Sequence, residues 1–583
     1  MGSHDQRTRS PGQRRRYPRR AVLRGAGIAG VAWSGATLLA CSGNSTTRPT
    51  SPTTRTAGRT STQAPAGTPR PGGTYTWYVN ANPPVLDPHR TSAVTTMTTV
   101  SPVMSRLLRF KSRADVEAGY NRETEPDLAS SVESPDALTW TVKLRPGVTF
   151  HNVAPVNGHA LEAEDVKASF TRALDAKNPN RGSLTFIDPT QIQTPANDTV
   201  VFKLAFPYAP FPKLVASGVY GWIFPREALA GTYDPAKTLI GSGPFLFDSY
   251  TPDVALTYKK NPAWFETGRP YLDGARRAVV PDAAQQLAQF TAGNLDEVSV
   301  ARENVASMRQ QNPKAQQIAI RDQGGPLIYF QLGDPASPWQ DIRLRQAVSL
   351  AIDRDAFAKV YAIDRWQPSF NVPLNMGKWA VTLKDLPADT AQWYKLDLPR
   401  AKQLLAAAGA GTMSLKLLMP TPHPRDPYFK AAAETIRGML SALPWQVNLV
   451  YIDYNKDWVG GGKGVRYGNF PGDSIVMTGI EGRTDVDEYL YGWWHSKSTS
   501  TISHVADSTL DGLIDRARGL LNEDQRVQAA LDAQKYLAAK LYAAAGTPSG
   551  FDYTFVQSRV ANYTTGDSYG VGTGTWAQLW LQG

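Results

Sequence analysis

Apolar and polar residues alternate along several short stretches of the chain, and this period of two predicts β-strands. In the stretch Thr74 to Val79, the side chains of Tyr75, Trp77 and Val79 would share one face. Three further stretches are of the same kind: Thr139 to Leu144, Thr199 to Leu204 and Ala255 to Lys259. We therefore expect a strand at each of these places.

Other stretches repeat their apolar residues every three or four positions, which predicts amphipathic helices. The clearest runs from Glu162 to Leu174. A helix from Asp341 to Phe357 would begin with an Asp N-cap. The stretch from Leu513 to Tyr542 is helical in pattern, with an interruption near Asn522. Because strands and helices interleave throughout, we expect an α/β fold of mixed sheets flanked by helices.

The composition is typical of a folded body, with 42% hydrophobic and 19% charged residues among 583. This length leaves room for about two to four domains. The single cysteine, Cys41, excludes an intrachain disulfide and a cysteine-based metal site. The net charge of +11 arises in residues 1–71, which hold twelve Arg and one acidic residue, while the remainder is balanced. The basic charge therefore gives no reason to expect nucleic-acid binding.

Residues 1–40 have the parts of an export signal. Arginines are concentrated between Arg14 and Arg24, and an apolar run follows from Gly25 to Ala40 that is too short to span a membrane as a helix. Pro18 to Arg24 resembles the bacterial twin-arginine export motif. Leu38 to Cys41 resembles a lipobox, in which the cysteine becomes the lipidated amino terminus. We therefore expect a lipid-anchored protein on the extracytoplasmic face of a bacterial cell membrane.

Residues 41–71 predict a flexible tether. Ser, Thr, Pro and Gly make up 21 of the 30 residues from 42 to 71, which include no aromatic residue, Leu, Ile or Val. Such a segment cannot bury enough apolar surface to offset its chain entropy. As a coil it would reach about 30 Å and hold the folded body clear of the membrane.

Sequence motifs for catalysis occur only in the wrong context. The GxGxxG match at residues 25–30 lies in the apolar run and follows no strand. The GxSxG match at residues 566–570 has no His after it, which an α/β-hydrolase requires. The glycine-rich residues 460–464 lack the Walker spacing, and no two of the seven His make an i, i+4 metal pair. The sequence predicts a protein that is not an enzyme and carries no cofactor or metal.

Two neighbouring segments match a known family. Residues 139–151 read TWTVKLRPGVTFH and residues 161–172 read LEAEDVKASFTR. Together they resemble the central signature of the family 5 extracellular solute-binding proteins, the oligopeptide- and dipeptide-binding components of ABC importers. Further matches follow in the family's order: Leu86 to His89, Gly241 to Phe245, Asn261 to Pro262, Pro270 to Asp273, Asp341 to Ala347, Ala351 to Asp353 and Leu510 to Ile514. The resemblance covers about residues 72–583.

This resemblance implies a two-lobed fold of the periplasmic binding protein type, class II, with a ligand cleft between the lobes. Residues 72–325 and 547–583 would form the first lobe, and residues 326–546 the second. Segments near Leu327 to Gln331 and near Thr547 to Phe551 would cross between the lobes as a hinge. The resemblance also implies a monomer that closes on an oligopeptide and delivers it to an ABC permease and its ATPase.

The predicted ligand region departs from the family's pattern. Peptide-binding relatives carry a Trp followed three residues later by an Asp that pairs with the peptide amino group. These two positions fall on Gly479 and Gly482 in this chain. Glu481 or Asp485 would have to replace the missing Asp, and Arg483 would suit an anionic or hydroxyl-rich ligand. An oligosaccharide or other non-peptide ligand is therefore the alternative prediction, and a secreted hydrolase is a third.

Ten residues are candidates for ligand contacts because of their position or their type. Aromatic side chains suit sugar rings as well as peptide side chains, although each one can equally pack in the core. The candidates are Val94, Tyr329, Gln331, Trp366, Trp379, Glu481, Arg483, Asp485, Trp493 and Trp494.

Overall fold

The computed structural model gives the fold of the predicted body, within the unit Arg59–Gly583. The described residues are 67–91, 93–111, 123–322, 325–360, 366–421, 426–460, 463–479, 483–545, 547–564 and 573–582. The predicted export signal, Cys41 and most of the predicted tether lie outside these ranges. No helix in the described ranges has both the length and the apolar character needed to cross a membrane.

Strands and helices alternate along the described chain. The strands are β1 (Thr74–Val79), β2 (Leu108–Phe110), β3 (Thr124–Pro126), β4 (Ala129–Glu133), β5 (Thr139–Leu144), β6 (Ile187–Ala196), β7 (Thr199–Leu204), β8 (Phe245–Thr251), β9 (Ala255–Lys260), β10 (Gly274–Val279), β11 (Glu297–Val300), β12 (Gln316–Arg321), β13 (Leu327–Phe330), β14 (Gln367–Ser369), β15 (Met413–Thr421), β16 (Trp445–Asp453), β17 (Ser474–Thr478), β18 (Ala543–Ala544), β19 (Thr547–Ser549), β20 (Phe551–Val556), β21 (Val560–Ala561) and β22 (Trp580–Leu581). The helices are α1 (Val94–Val100), α2 (Ala163–Ala173), α3 (Phe211–Ala216), α4 (Glu227–Ala230), α5 (Ala283–Thr291), α6 (Val305–Gln311), α7 (Ile342–Leu350), α8 (Arg354–Val360), α9 (Ala388–Ala391), α10 (Leu398–Ala407), α11 (Asp426–Leu440), α12 (Val486–Trp494), α13 (Ser508–Gly519), α14 (Glu523–Lys540) and α15 (Thr573–Gln578).

Three larger sheets lie within the segments predicted for the first lobe. One has the order β1-β10-β9-β8, and β1 buries Tyr75, Trp77 and Val79 on one face as its alternation predicts. The second has the order β4-β5-β7-β6. In the third, β20 lies between β11 and β12 and pairs antiparallel with both. The first lobe is therefore completed by a strand from the last part of the chain.

One five-stranded sheet lies within the segment predicted for the second lobe, in the order β16-β15-β17-β13-β18. β13 runs antiparallel to β17, so that Leu327 lies opposite Thr478 and Phe330 lies opposite Ile475. The carboxyl ends of β13 and β17 therefore lie at opposite ends of the strands. Gln331 follows β13 at one end, and the segment that leads to Asp485 follows β17 at the other.

The buried apolar side chains form separate clusters in the two lobes. Three clusters draw their members from residues 75–318 and 555–579. Two others draw theirs from residues 327–545. Among the described residues, no such cluster combines the two groups. The core is thus divided in two, as a two-lobed fold requires.

Two connections run side by side between the lobes. The first leads from β12 to β13, and the second leads from β18 through β19 to β20. β12 pairs with β20 in the first lobe, and β13 pairs with β18 in the second. In the described part of the chain, the strands that flank one connection are therefore paired with the strands that flank the other.

The strands and most helices predicted from sequence are confirmed. β1, β5 and β7 have the predicted bounds, and β9 is one residue longer. The interruption predicted near Asn522 is the N-cap of α14, whose side chain accepts a hydrogen bond from Gln525 N. The prediction of one helix from Asp341 to Phe357 is wrong, because α7 ends at Leu350. The Asp353 side chain then accepts a hydrogen bond from Ala356 N and starts α8.

Candidate functional site

A contact between the lobes is built around the first turn of α12. The first lobe contributes residues 206–220, which include α3. The Tyr220 hydroxyl donates a hydrogen bond of 3.0 Å to Glu488 Oε1, and the Lys213 ammonium lies 3.2 Å from Asp485 Oδ2. Further along, Ala209 N donates a hydrogen bond of 2.8 Å to the carbonyl oxygen of Arg518. Both lobes thus contribute polar groups to one buried contact.

Asp485 holds its position because it is the N-cap of α12. It forms a capping box with Glu488, and its Oδ1 accepts a 2.8 Å hydrogen bond from Asp487 N. Arg526 of α14 donates to both carboxylate oxygens, with Nη1 lying 3.1 Å from Oδ2. Burial alone would raise the pKa of the Asp485 carboxyl, but the charges of Arg526 and Lys213 outweigh burial and hold that pKa well below its usual range. Asp485 is therefore a permanent anion.

Lys213 reaches this carboxylate from α3. The neighbours of Lys213, among them Phe211 and Leu214, are buried in the core of the first lobe. The Lys213 side chain is only 12% exposed, and its ammonium lies 4.3 Å from the centre of the Trp379 ring. Burial lowers the pKa of Lys213, against the opposing effect of Asp485. The lysine is thus enclosed by second-lobe groups of opposite charge and aromatic character.

Asp487 lies beside this pair and forms a second buried ion pair. Its Oδ1 lies 3.0 Å from Arg518 Nε. Burial raises the pKa of Asp487 to about 6, with Asp485 adding to the shift and Arg518 opposing it. The Arg518 guanidinium also lies over Tyr491 at 3.8 Å and over Phe206 of the first lobe at 4.6 Å. Two neighbouring carboxylates therefore have pKa values shifted in opposite directions.

Two of the ten candidate residues, Trp379 and Asp485, meet at this contact, where both lie against Lys213. Trp379 is buried, and its ring centre lies 4.8 Å from the guanidinium of Arg526, which belongs to α14 of the same lobe. Arg483 lies two residues before Asp485, and its backbone N–H donates a 2.9 Å hydrogen bond to the Tyr489 hydroxyl. Trp379 and Asp485 thus belong to the contact between the lobes, and Arg483 is close to Asp485 in the chain.

Three other candidates form an aromatic stack inside the second lobe. Tyr329 lies 5.8 Å from both Trp493 and Trp494, measured between ring centres, and its ring is nearly parallel to that of Trp494. All three side chains are buried and belong to one core cluster. The structure gives them a packing role, and a role in ligand contact stays a prediction.

Among the described candidates, Val94, Gln331 and Trp366 take no part in the interactions of this contact. Val94 begins α1 of the first lobe and is 48% exposed. Gln331 donates hydrogen bonds of 2.7 and 3.0 Å to the carbonyl oxygens of Gly468 and Phe470. Trp366 is half-buried just before β14, and Glu481 lies outside the described residues. The sequence prediction therefore combined residues from several places in the fold.

Two cavities lie within single lobes. One of about 510 Å³ is bordered by Gln331 and His504 of the second lobe. The other, of about 560 Å³, is bordered by Asp87, Arg172 and Tyr233 of the first lobe, where Arg172 forms a bidentate ion pair with Asp87. Of the candidates that the structure describes, only Gln331 borders either cavity.

A cluster of potential metal ligands in the first lobe is an ion-pair network. Atoms of His159, Asp165 and Glu227 lie within 4.8 Å of one another. The Arg226 guanidinium donates to Asp165 Oδ1 at 3.0 Å and to Glu162 Oε2 at 2.6 Å. Since Arg226 already supplies positive charge here, the arrangement ties the start of α2 to that of α4.

Sequence reasoning missed Lys213, Arg526 and Arg518. Their partners are far away in the chain, and no local spacing connects them. The available signal for Lys213 is that it is the only charged residue in the apolar run from Phe211 to Ala216. A lone charge in such a run indicates a buried partner, but it does not identify which one.

Known proteins resemble this chain in sequence and in fold. The model of the bacterial extracellular solute-binding proteins, family 5, middle region, matches residues 123–501. Heme-binding protein A of Haemophilus influenzae is 27% identical over 74% of this chain and 79% of its own length. The dipeptide-binding protein of Escherichia coli is 26% identical over 76% of this chain and 83% of its own length.

A solved structure shows the same architecture. It is the ABC transporter-associated periplasmic binding protein DppA of Helicobacter pylori, in complex with the peptide STSA. It superposes with a TM-score of 0.68 at 20% identity, over 88% of this chain and 99% of that one. The predicted two-lobed fold of the periplasmic binding protein type is therefore confirmed.

Proposed function

The chain belongs to the bacterial extracellular solute-binding proteins of family 5, and from this we propose that it captures a peptide between its lobes and delivers it to an ABC permease with its ATPase. The family match over residues 123–501 carries this proposal. Closure requires a solute that stabilises the closed arrangement of the lobes more than the open one. Members of this family bind solutes rather than transform them, and we propose capture without catalysis here.

The proposed lobes are residues 72–325 with 547–583, and residues 326–546. The separation of the core clusters and the paired connections support these boundaries. In this arrangement the contact between α3 and the first turn of α12 lies where the lobes face each other. We propose that the solute binds next to this contact, within reach of Arg483 and Trp379.

A non-peptide solute is the second candidate. The relative from Haemophilus influenzae supports it, because that protein is named for binding heme. The lack of an Asp at Gly482 also supports it. An oligosaccharide would use hydroxyl groups that Arg483 and aromatic side chains can contact.

A binding screen tests both candidates. Residues 42–583 are heated with short peptides, oligosaccharides or haem, and the melting temperature is measured. A solute at 100 times its dissociation constant stabilises the folded state by about 2.7 kcal/mol, which raises the melting temperature by several degrees. A shift with peptides supports the first candidate. A shift only with the other solutes overturns it in favour of the second.

We further propose that Cys41 is lipidated and that residues 41–71 tether a monomeric body to the extracytoplasmic face of the membrane. We also propose that the protein is exported by the twin-arginine route. The motif residues in the sequence support this. Cys41→Ser should move the protein from the detergent phase to the aqueous phase in Triton X-114 partitioning, and Ser42→Ala should not. Arg19→Lys with Arg20→Lys should retain the precursor in the cytoplasm. Normal export of that variant would overturn the twin-arginine assignment.

A further inference from the structure

The Asp485 carboxylate accepts from a full set of donors supplied by the protein itself. Oδ1 receives the Asp487 N–H at 2.8 Å and Arg526 Nη2. Oδ2 receives Arg526 Nη1 at 3.1 Å and the Lys213 ammonium at 3.2 Å. A carboxylate has about four lone-pair sites, so these four donors occupy them all.

One of the four donors comes from the opposite lobe. Arg526 and Asp487 belong to the second lobe together with Asp485, whereas Lys213 belongs to the first. The Lys213 ammonium lies 3.2 Å from a carboxylate oxygen and 4.3 Å from the Trp379 ring centre. A carboxylate and an aromatic ring are groups that bind ammonium ions in general. The protein therefore supplies an ammonium group of its own at this place.

We propose that Lys213 takes the place of a solute amino group at Asp485, so that the lobes close on solutes whose amino terminus is blocked as readily as on those whose amino terminus is free. This rests on the proposed capture of peptides between the lobes. Lys213 is then a specificity-determining residue, and the solute is held by its backbone and side chains rather than by its terminal charge.

Charge balance argues for the same conclusion. Asp485 carries one negative charge and already contacts two cations, Arg526 and Lys213. A solute ammonium at this carboxylate would be a third cation within a few ångströms of the other two in a buried site. Like charges at such distances repel strongly where water is excluded. A free amino terminus therefore gains nothing at Asp485 while Lys213 remains there.

The test compares peptides of three to five residues with their N-acetylated counterparts by isothermal titration calorimetry. Wild type should bind both forms with affinities within about threefold of each other. Lys213→Met keeps the length of the side chain and leaves the Arg526–Asp485 pair intact, and it should shift the preference toward the free amine by about tenfold. Lys203→Met, at an exposed position of β7, should behave as wild type.

Other results overturn the proposal. A wild-type preference of about tenfold or more for the free amine would show that a carboxylate of the protein does receive it. An unchanged preference in Lys213→Met would show that Lys213 does not set it. If no peptide bound in either form, the proposed capture of peptides would be overturned. The role of Lys213 would then be tested by measuring the distance between the lobes.

That position is measured by electron spin resonance distances in a Cys41→Ser background, which has no other cysteine. Spin labels are attached after Leu229→Cys in the first lobe and Leu396→Cys in the second, both at exposed positions. Without any solute, the distance between the two spin labels should be shorter when Lys213 is present than in the Lys213→Met variant. Equal distances would show that Lys213 does not hold the lobes together, and would overturn the proposal independently of any ligand.

Discussion

Ser549 donates a hydrogen bond of 2.5 Å from its hydroxyl to Oδ1 of Asp322, and this bond joins the two connections between the lobes. The other oxygen of Asp322 accepts the Gly550 N–H at 3.0 Å and pairs with Arg302. Asp322 precedes β13 and Ser549 ends β19, and both are buried. The carboxylate therefore ties the two connections to each other.

Ser549→Ala should destabilise the protein by about 1.5–3 kcal/mol, because it removes a donor from a buried carboxylate. The midpoint of urea unfolding measures the loss. Ser441→Ala is the matched control, since the Ser441 hydroxyl donates a 2.8 Å hydrogen bond to Arg437 O at an exposed place. That change should stay within about 0.5 kcal/mol. Equal midpoints for both variants would contradict a structural role for the Asp322 bond.

Asp487 should give the stability a distinct dependence on pH. Its folded pKa of about 6 lies above the value of about 3.9 for an unfolded Asp. Between these values the folded state holds more protons than the unfolded chain, so the contribution of Asp487 is greatest below about pH 4 and declines as the pH rises through 6. Relative to Asp487→Asn, wild type should therefore lose up to about 3 kcal/mol of stability between pH 4 and 7.5.

Urea unfolding of both proteins across this pH range measures the difference. The test uses the slope with pH of the difference in unfolding free energy between the two proteins. Removing the Asp487 charge next to Arg518 changes the unfolding free energy of the variant by a roughly constant amount, which does not affect this slope. Carbon NMR of the Asp487 carboxyl group measures the same pKa directly. If the stability of both proteins changed with pH in parallel, or if the NMR titration had a midpoint near pH 4, burial would not be raising the pKa of Asp487.

Trp494 should matter for stability rather than for affinity. It is buried and lies parallel to Tyr329 at 5.8 Å, so Trp494→Ala should cost about 3–5 kcal/mol. Trp393 is only half-buried and lies 4.2 Å from the Arg400 guanidinium, so Trp393→Ala should cost less. Thermal unfolding without a solute measures both. A stable Trp494→Ala protein with weakened solute binding would instead assign Trp494 to the binding site.

Gly468 should resist replacement because of His504. A Cβ at Gly468 would lie 1.8 Å from His504 Cδ2, and the glycine has φ +81°. Gly409 has a similar φ of +70° but no atom within 4 Å of its added Cβ. Both replacements by Ala carry a backbone strain of about 1–2 kcal/mol. Only Gly468→Ala should also disturb the 2.7 Å contact between His504 Nε2 and Tyr467 O, at a further cost of about 1–3 kcal/mol.

The melting temperatures of the two variants test this. Gly468→Ala should melt several degrees below Gly409→Ala. If the two melted together, the His504 ring would be able to move aside without loss, and the contact with Tyr467 would not contribute to stability.

Local patterns predicted the elements well, because alternation and helical periodicity are properties of adjacent residues. The bounds of β1, β5 and β7 follow from this directly. The break between α7 and α8 was missed because the whole segment has a helical pattern. The signal that was overlooked is Asp353, a second capping residue inside that pattern.

The candidate site was only partly predictable. Trp379 and Asp485 are candidates from their positions in the sequence, and their role in ligand contact stays a prediction. Lys213 and Arg526 meet Asp485 only in the folded chain. Their pairing depends on how α3 and α14 are placed by the packing of separate lobes. No spacing within the sequence encodes such a meeting, whereas a capping box or a strand is encoded within a few residues.

The central position of β20 between β11 and β12 also has a consequence during synthesis. A ribosome that adds 5–20 residues per second completes β12 roughly 10 to 50 seconds before it reaches Phe551. During that interval β11 and β12 have no strand between them, and their open edges can pair with other chains. A chaperone would protect these edges during that time, and the sheet can be completed only after the last part of the chain has been made.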